Sequence, residues 1–216
     1  MMYFNPGCAL RLYKSHLADR TLALLNERLG PVLPHEICCR HDPLLPAGSV
    51  IVNVCPGCDR RFRSLYGGVS TVSLWEVLDG LAGLALPDYR GLRLSPHDAC
   101  PVRERPDVHR AVRSLLQKMN IEIVEPARRG ARSACCGDDF HGKLPPGEVR
   151  LLMKRRAEEM PCRDVCVYCV SCVKAMAIGG RTPHHLLDLI FGEPTDPGEP
   201  GTGRWHEQLE EYISAH

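Results

Sequence analysis

Hydrophobic positions along the chain alternate between helical spacing and short β-branched or aliphatic runs. Apolar residues recur every three to four positions in stretches 10–29, 73–81, 107–119 and 148–160, which predicts amphipathic helices. Shorter helices are predicted at 59–66, 173–178 and 184–191. Short runs at 2–6, 50–54, 92–94, 121–124 and 165–167 predict strands. Strands that alternate with helices pair in parallel through right-handed crossovers, so the expected fold class is α/β.

The same order of elements occurs twice. Each half reads strand, cysteine, helix, adjacent cysteine pair, strand, C-x-x-C motif and two helices. This repeat predicts two pseudo-repeated halves, residues 1–90 and 91–192, with parallel strands and flanking helices. Only 15 residues separate the cysteine pair from the C-x-x-C motif in the first half, against 32 in the second. The missing 17 residues correspond to the helix at 148–160, so the first half is expected to lack that helix.

The remaining residues, 193–216, form a tail. Residues 193–203 are rich in proline and glycine, which predicts a linker or an exposed arm. Residues 205–213 have the pattern of a short amphipathic helix. The tail either packs on the core or docks on a partner.

Composition narrows the class of protein. The 216 residues are 44% hydrophobic and 25% charged, which is typical of a soluble globular protein. A net charge of +1 gives no indication of a nucleic-acid partner. No apolar run reaches the roughly 18 residues of a membrane span, and no signal peptide is evident, so we expect a cytoplasmic protein that is not an integral membrane protein. Thiols stay reduced in that compartment, and the twelve cysteines therefore predict metal binding or redox chemistry.

Ten of the twelve cysteines fall into two sets of five. Each set contains a single cysteine after a strand, an adjacent pair and a C-x-x-C motif. The N-terminal set is Cys8, Cys38, Cys39, Cys55 and Cys58, and the C-terminal set is Cys100, Cys135, Cys136, Cys169 and Cys172. Each C-x-x-C motif follows a strand and opens a helix, where the helix dipole and free N–H groups favour thiolate. Ligands of open α/β sheets bind beyond the carboxyl ends of strands, so each set is expected to converge on one site.

The number of thiols in each set indicates which kind of metal centre the set could hold. Soft thiolates select zinc, copper(I) or iron–sulfur clusters. Five thiols exceed the four ligands of a structural zinc site, and adjacent cysteines chelate one small ion poorly. The pattern therefore favours a cluster of several metal atoms, while zinc and thiol chemistry without a metal stay open.

The motifs resemble a known family. The C-terminal pattern, with 34 residues between Cys100 and the pair Cys135-Cys136-Gly137 and 32 more before Cys169-Val-Ser-Cys172, is similar to the cysteine-rich CCG domain found in the B-type subunit of heterodisulfide reductase. Related modules occur in iron–sulfur subunits of glycolate, lactate and anaerobic glycerol-3-phosphate oxidising enzymes. Pro6-Gly7-Cys8, Cys55-Pro-Gly-Cys58 and His97-Asp98-Ala99-Cys100 extend the resemblance over nearly the whole chain.

The resemblance implies a cofactor. In that family a full motif holds a noncubane [4Fe-4S] cluster with all five cysteines, which here would be Cys100, Cys135, Cys136, Cys169 and Cys172. The first half departs from the pattern, because Arg40 stands where a glycine should follow Cys38-Cys39. Its five cysteines would hold a second iron–sulfur cluster or zinc, or form a remodelled site in which His35 or His41 substitutes as a ligand.

The resemblance also implies a function, the reduction of a disulfide or thiol substrate with electrons from a partner. The chain has no ferredoxin run of cysteines, no dinucleotide-binding glycine motif and no flavin signature, so a ferredoxin-like or flavin-containing redox subunit is the expected partner. Cys135 and Cys136 would be catalytic, and His141, with Asp138 and Asp139, would supply protons to the leaving thiolate. The alternatives are a cluster-binding electron-transfer component and a structural zinc module.

A few other residues carry weaker signals. Cys166 lies in a predicted strand and is expected in the core, whereas Cys162 is a candidate resolving thiol. His97 and Asp98 precede Cys100 and either cap a turn or deliver protons. The basic run 154–156, like 60–63 and 128–129, is expected on solvated faces.

Overall fold

The computed structural model describes residues 1–199 and 201–216. Its eight strands form two four-stranded sheets in which every paired strand is parallel, and helices flank both sheets. The strands are β1 (Met2–Asn5), β2 (Val32–Pro34), β3 (Ser49–Asn53), β4 (Val69–Ser73), β5 (Arg93–Pro96), β6 (Glu122–Ile123), β7 (Asp164–Val167) and β8 (Thr182–His185). The order is β2-β1-β3-β4 in one sheet and β6-β5-β7-β8 in the other. The α/β class and the repeated halves are confirmed.

Eight α-helices in the described residues connect and cover the strands. They are α1 (Gly7–Leu29), α2 (Pro56–Leu65), α3 (Leu74–Gly80), α4 (Pro106–Lys118), α5 (Pro146–Glu158), α6 (Val170–Ile178), α7 (Leu186–Phe191) and α8 (Gly203–Ala215). Local sequence sets several of these ends. Gly30 ends α1 with a φ of +86°, a conformation that glycine adopts without strain. The Glu76 carboxylate accepts the Ser73 backbone N–H at 3.1 Å and fixes the start of α3.

Three strands differ from the sequence prediction. β2 and β4 lie in stretches whose pattern predicts no strand, and β8 contains His184, which the pattern places in a helix. That helix begins only at Leu186, because Cys166 and Val167 of β7 pair with His184 and His185. All three are edge strands, whose conformation is set by sheet pairing, which local propensity does not capture.

The two halves share one hydrophobic core. Phe4, Leu25 and Trp75 from the first half pack in the same buried cluster as Leu115 and Leu186 from the second. Two smaller clusters contain the cysteine pairs, one with Cys136 and Met153 and the other with Cys39 and Ile213. The cysteine sites are therefore built into hydrophobic packing.

Polar contacts also join the halves. Arg105 bridges Asp59 on α2 and Glu76 on α3, with nitrogen–oxygen distances of 3.1 and 2.7 Å. Lys14 interrupts the helical backbone of α1 (φ −153°) and donates to the fully buried Asp188 at 2.8 Å.

In the part of the chain that the structure describes, no helix combines the length and apolar character needed to cross a membrane.

Candidate metal centre

The two cysteine sets lie at equivalent points of the two sheets. β1 lies between β2 and β3, so the next two strands along the chain are added on opposite sides of β1 and the strand order reverses there. β5 has the same position between β6 and β7. Cys8 and Cys55 follow β1 and β3, whereas Cys100 and Cys169 follow β5 and β7. Such reversal points form a crevice at the carboxyl ends of parallel strands. Two cysteines of each set therefore lie just beyond neighbouring parallel strands, as predicted.

The C-x-x-C motifs stand at helix N-termini, as predicted. Cys55 directly precedes the first residue of α2 and Cys169 that of α6, so Cys58 and Cys172 fall in the first turns. Free backbone N–H groups at this end stabilise thiolates. A hydrogen bond from Cys58 lowers the pKa of Cys55 to about 7, with further lowering from the backbone N–H groups of Cys58 and Gly57, even though burial opposes the charge.

Within each set the thiols contact one another in the same order. In the C-terminal set the sulfurs of Cys100 and Cys135 are 3.7 Å apart. Thiol–thiol interactions continue that series, in which Cys136 interacts with Cys135, and Cys172 interacts with Cys136 and with Cys169. The N-terminal set repeats the order as Cys8, Cys38, Cys39, Cys58 and Cys55. The two halves therefore have matching series of sulfur contacts.

In each set, hydrogen bonds from two neighbouring thiols lower the pKa of one cysteine. Hydrogen bonds from Cys100 and Cys136 hold the pKa of Cys135 well below its usual value. Hydrogen bonds from Cys39 and Cys8 do the same for Cys38. The pKa values of the donors Cys100 and Cys8 are raised in turn by these bonds and by burial. The first cysteine of each adjacent pair is therefore favoured as thiolate, the form that binds metal.

All ten cysteines line one cavity of about 800 Å³. Arg60 and Arg61 of α2 reach the cavity from the first half, and Lys143 reaches it from the second. The two sets thus face a common space that has the volume of a small-molecule site. The sequence predicted two sites but gave no indication that they share a cavity.

The C-terminal helix α8 closes one side of this cavity. Ile213 and Leu209 pack against the hydrophobic cluster that contains Cys38 and Cys39. The Cys38 backbone N–H donates to the His216 carbonyl at 3.2 Å. Arg40 pairs with Glu210 of α8 at 2.9 Å. Of the two alternatives for the tail, the structure has it packed on the core.

A pair of histidines joins α8 to the loop after Cys136. The rings of His141 and His206 are stacked, with centroids 3.8 Å apart and an interplanar angle of 2°. His206 Nε2 lies 3.1 Å from Asp138 Oδ1, and His141 Nδ1 lies 3.1 Å from Thr202 Oγ1. Burial and then the neighbouring His206 lower the pKa of His141. Both rings and Asp138 line the cavity, so proton-donating groups adjoin the thiols.

The turn after the C-terminal pair depends on glycine. Gly137 has a φ of +109°, and a Cβ built there would lie 2.9 Å from Met153 Cγ and 3.0 Å from Met153 N. Its backbone N–H points to Cys135 Sγ at 3.4 Å. Glycine is therefore required both by conformation and by the close approach of α5.

Behind the C-terminal set lie a buried histidine and a buried arginine. A ring nitrogen of His97 and the sulfurs of Cys136 and Cys172 all lie within 4.8 Å of one another, the one such group of three metal-ligating atoms among the residues described. Burial, and secondarily Arg156, lowers the pKa of His97 to about 3, so its ring is neutral. Arg156 is 2% exposed, which corrects the expectation that run 154–156 is solvated. Its charge is matched by Glu159 and by the acceptors around it.

The remaining candidates have structural contacts. Asp98 is fully buried and holds Arg113 through both carboxylate oxygens, at 2.7 and 2.9 Å. Cys166 is fully buried in β7, as predicted. Cys162 has its backbone N–H on Ser95 Oγ and is absent from the lining of the cavity among the described residues. These residues support the framework around the site.

The first-half histidines also have partners outside the sulfur constellation. His35 Nε2 lies 3.0 Å from the Pro43 carbonyl oxygen, and His41 Nε2 lies 2.7 Å from that of Ile213. Each of these nitrogens therefore donates to a carbonyl group. Neither residue lies in a group of three metal-ligating atoms within the described ranges, 1–199 and 201–216.

Sequence reasoning missed two functional features. His206 and Glu207 line the cavity from α8, and only the amphipathic pattern of 205–213 hinted that this segment packs on the protein. Arg156 lies in a basic run, where its position on the same helix face as Met153 and Ala157 was the available signal.

No protein-family model matches the chain, and a search of curated proteins finds no match either.

Proposed function

We propose that this protein is an iron–sulfur redox protein of the heterodisulfide reductase type. The C-terminal set, Cys100, Cys135, Cys136, Cys169 and Cys172, would hold a noncubane [4Fe-4S] cluster. The N-terminal set, Cys8, Cys38, Cys39, Cys55 and Cys58, would hold a second cluster or zinc. Electrons from a partner protein would pass to a disulfide bound in the shared cavity.

The single observation that carries this proposal is the arrangement of ten thiols, in two matching series, around one cavity. The donor set consists of sulfur, which suits iron–sulfur chemistry or zinc. Five thiols per set, with one thiolate already favoured in each, suit a group of several metal atoms better than one tetrahedral ion. The Gly137 N–H directed at Cys135 Sγ is a contact of the kind that tunes cluster sulfurs.

Disulfide reduction needs two electrons and two protons for each S–S bond broken, with two thiols as products. The bound cluster would supply electrons one at a time. The chain itself supplies the protons, since His141 and His206 line the cavity and Asp138 holds His206 in place. His206 is hydrogen-bonded to the Asp138 carboxylate, and this contact orients its ring in the cavity.

The electrons must come from outside this chain. No dinucleotide, flavin or ferredoxin motif is present in the sequence. A ferredoxin-like or flavin-containing subunit is therefore the partner that the proposal requires.

A structural zinc site is the second candidate, and one observation favours it. The sulfurs of Cys136 and Cys172 already lie within 4.8 Å of each other, and two further thiols of the set would complete four ligands. A cluster-binding component without its own substrate is the other alternative, but it leaves the cavity and its histidines without a role.

Metal analysis tests the proposal first. The full chain is purified without oxygen, and iron, sulfide and zinc are measured per chain. Two clusters give about eight irons and one gives about four. Zinc without iron contradicts the redox proposal altogether.

Disulfide reduction by the same protein is then followed with a chemical reductant, which removes the need for the partner. We expect Cys135→Ser to abolish this activity while the circular dichroism spectrum stays unchanged. Cys162→Ser is the matched control, because Cys162 is a half-buried thiol of the same half that does not line the cavity. Full activity in Cys135→Ser would exclude catalysis at the C-terminal set.

A further inference from the structure

His97 has one ring nitrogen committed to an arginine. Arg156 Nε lies 3.1 Å from His97 Nδ1, and both side chains are buried, Arg156 at 2% exposure and His97 at 1%. A guanidinium group only donates hydrogen bonds and does not lose its proton in proteins. Nδ1 of His97 must therefore present its lone pair to Arg156.

Arg156 cannot move away to release that nitrogen. Its Nη2 donates to Ser133 Oγ at 3.0 Å and to the Arg128 carbonyl at 3.2 Å, and its Nη1 pairs with Glu159 at 2.5 Å. Ser133 in turn donates to the Asp98 carbonyl at 2.7 Å. The guanidinium is thus fixed on every side by the loop before Cys135 and by α5 itself.

The tautomer of His97 follows from this contact. A neutral imidazole whose Nδ1 accepts a hydrogen bond carries its proton on Nε2. Nε2 is buried and has no hydrogen-bond partner among the described residues. A buried donor without a partner is unfavourable, so such a group usually faces an acceptor.

The sulfurs of Cys136 and Cys172 lie close to the His97 ring and can accept a hydrogen bond. Nδ1 is occupied by Arg156, so Nε2 is the nitrogen left for Cys136 and Cys172, with which His97 forms its group of three atoms within 4.8 Å. A histidine that ligates a metal needs a lone pair at the ligating nitrogen. With its proton on Nε2, His97 cannot ligate a metal there, but it can donate to sulfur.

We propose that His97 is a positioning residue that donates an Nε2–H hydrogen bond to the sulfur side of the C-terminal site and thereby raises the reduction potential of the group bound there. The proposal rests on the proposed function for the redox effect, whereas the tautomer rests on this chain's own contacts. Hydrogen bonds to cluster sulfurs stabilise the additional negative charge of the reduced state. His97 would thus act through sulfur, without touching the substrate.

The N-terminal set has an asparagine where the C-terminal set has His97. Asn5 stands three residues before Cys8, as His97 stands three before Cys100. The Asn5 side chain is engaged within the sheet, where its Nδ2 donates to Asn53 Oδ1 at 3.1 Å and its Oδ1 accepts from the Gly7 N–H at 2.8 Å. No helix lies between β2 and β3 in the described chain, so Arg156 has no counterpart. Electrons are therefore expected to favour the C-terminal set.

Two substitutions separate donation from mere packing. His97→Gln retains an N–H group near the position of Nε2, whereas the amide of His97→Asn reaches only as far as Nδ1. In a redox titration of the full chain followed by electron paramagnetic resonance, we expect His97→Asn to lower the reduced-to-oxidised ratio of one signal about tenfold at fixed potential, which is about 59 mV for one electron. His97→Gln should stay near the unmodified protein. His185→Asn, which places an amide at another buried histidine outside the cavity lining, should leave the potential unchanged.

Labelling with ¹⁵N-histidine tests the contact itself. In the iron-loaded protein, pulsed paramagnetic resonance should show the weak nitrogen coupling of a hydrogen bond, lost in His97→Asn, with iron content retained. Strong coupling typical of direct ligation, or loss of iron in His97→Asn, would overturn the proposal, as would equal potentials in the Asn and Gln variants. If the chain carries zinc and no iron, the proposed function fails. Nitrogen NMR of that diamagnetic protein then reads the tautomer, and a proton on Nδ1 would overturn the inference separately.

Discussion

The two halves of this molecule have the same sheet order and the same series of sulfur contacts, but different elements cover their cysteine pairs. In the second half α5 packs on Cys136 through Met153, with Gly137 in close contact. The first half has no helix between β2 and β3 in the described chain, and Ile213 of α8 packs on Cys39 instead. The thiols and strands therefore define the site, while its cover can come from a distant part of the chain.

The polar surroundings differ as well. Behind the C-terminal set lie the buried Arg156 and neutral His97, whereas Asn5 and Asn53 bond to each other in the corresponding place of the first half. A group bound by the second half would therefore meet an additional donor and a nearby cation. The same thiol framework can in this way hold two groups with different affinities for electrons.

Removing one thiol from each set gives the largest expected effect. Cys136→Ser should remove the metal of the C-terminal set, and Cys39→Ser that of the N-terminal set, because each is a buried member of its sulfur series. If both sets hold clusters, each variant should lose about half of the iron, about four atoms per chain. Iron analysis and the resonance spectrum check this. Complete loss from either single variant would mean that the two sets share one group across the cavity.

Gly137→Ala should destabilise the protein by about 2–5 kcal/mol. A non-glycine residue in the left-handed region is strained by about 1–2 kcal/mol, and overpacking against Met153 adds about 1–3 kcal/mol. Urea unfolding with an unchanged slope measures the difference. Gly180→Ala is the control, because Gly180 has a φ of +84° with no atom within 4 Å of a built Cβ, so only the first contribution applies. Equal losses of stability in the two variants would show that α5 can move away from a Cβ at residue 137 without loss of packing.

Acid should destabilise the protein partly through His185 in the second half. Burial lowers the pKa of His185 to about 4, even though Asp188 opposes the shift. In the unfolded chain His185 has a pKa near 6.5 and binds a proton below that pH, whereas in the native state the ring stays neutral down to about pH 4. The contribution of His185 to the free energy of unfolding is therefore complete above about pH 6.5 and decreases by about 1.4 kcal/mol per pH unit as the pH falls towards 4. His185→Phe should flatten the decline in urea midpoint over that window. An equally steep decline in His185→Phe would contradict this assignment.

Ile213→Ala tests whether α8 replaces the missing helix. Ile213 is 8% exposed against the cluster of Cys38, Cys39 and Phe62, so truncation should destabilise the native state by about 2 kcal/mol. The thiols of the N-terminal set should also react faster with a thiol reagent, which mass spectrometry of labelled peptides resolves. Ser214→Ala, on the exposed side of α8, should change stability by less than about 0.5 kcal/mol. Faster labelling of both sets alike would contradict a local cover.

Much of this architecture could be predicted from the sequence. The repeat of cysteines and strands led to the α/β class, the two sets and the helix missing from the first half, since hydrophobic spacing and motif order are local properties. The common cavity, the stacking of His141 on His206 and the burial of Arg156 depend on long-range packing. Local patterns carry no record of such contacts, and β2 and β8 were missed for the same reason.

The smallest effect concerns Arg40, which occupies the position of Gly137 in the first half. Arg40 is absent from the described residues with positive φ, so a glycine would relieve no strain there. Its ion pair with Glu210 is exposed, 49% and 59%, and such pairs contribute about 0–1 kcal/mol. Arg40→Gly should therefore lower stability by about 1 kcal/mol or less in urea unfolding and leave the metal content of the N-terminal set unchanged. Arg40→Ala, which removes the pair without adding backbone freedom, is the matched control. An increase in bound metal with Arg40→Gly alone would mean that the turn after Cys39 limits loading, and that the halves differ by this turn more than by their covers.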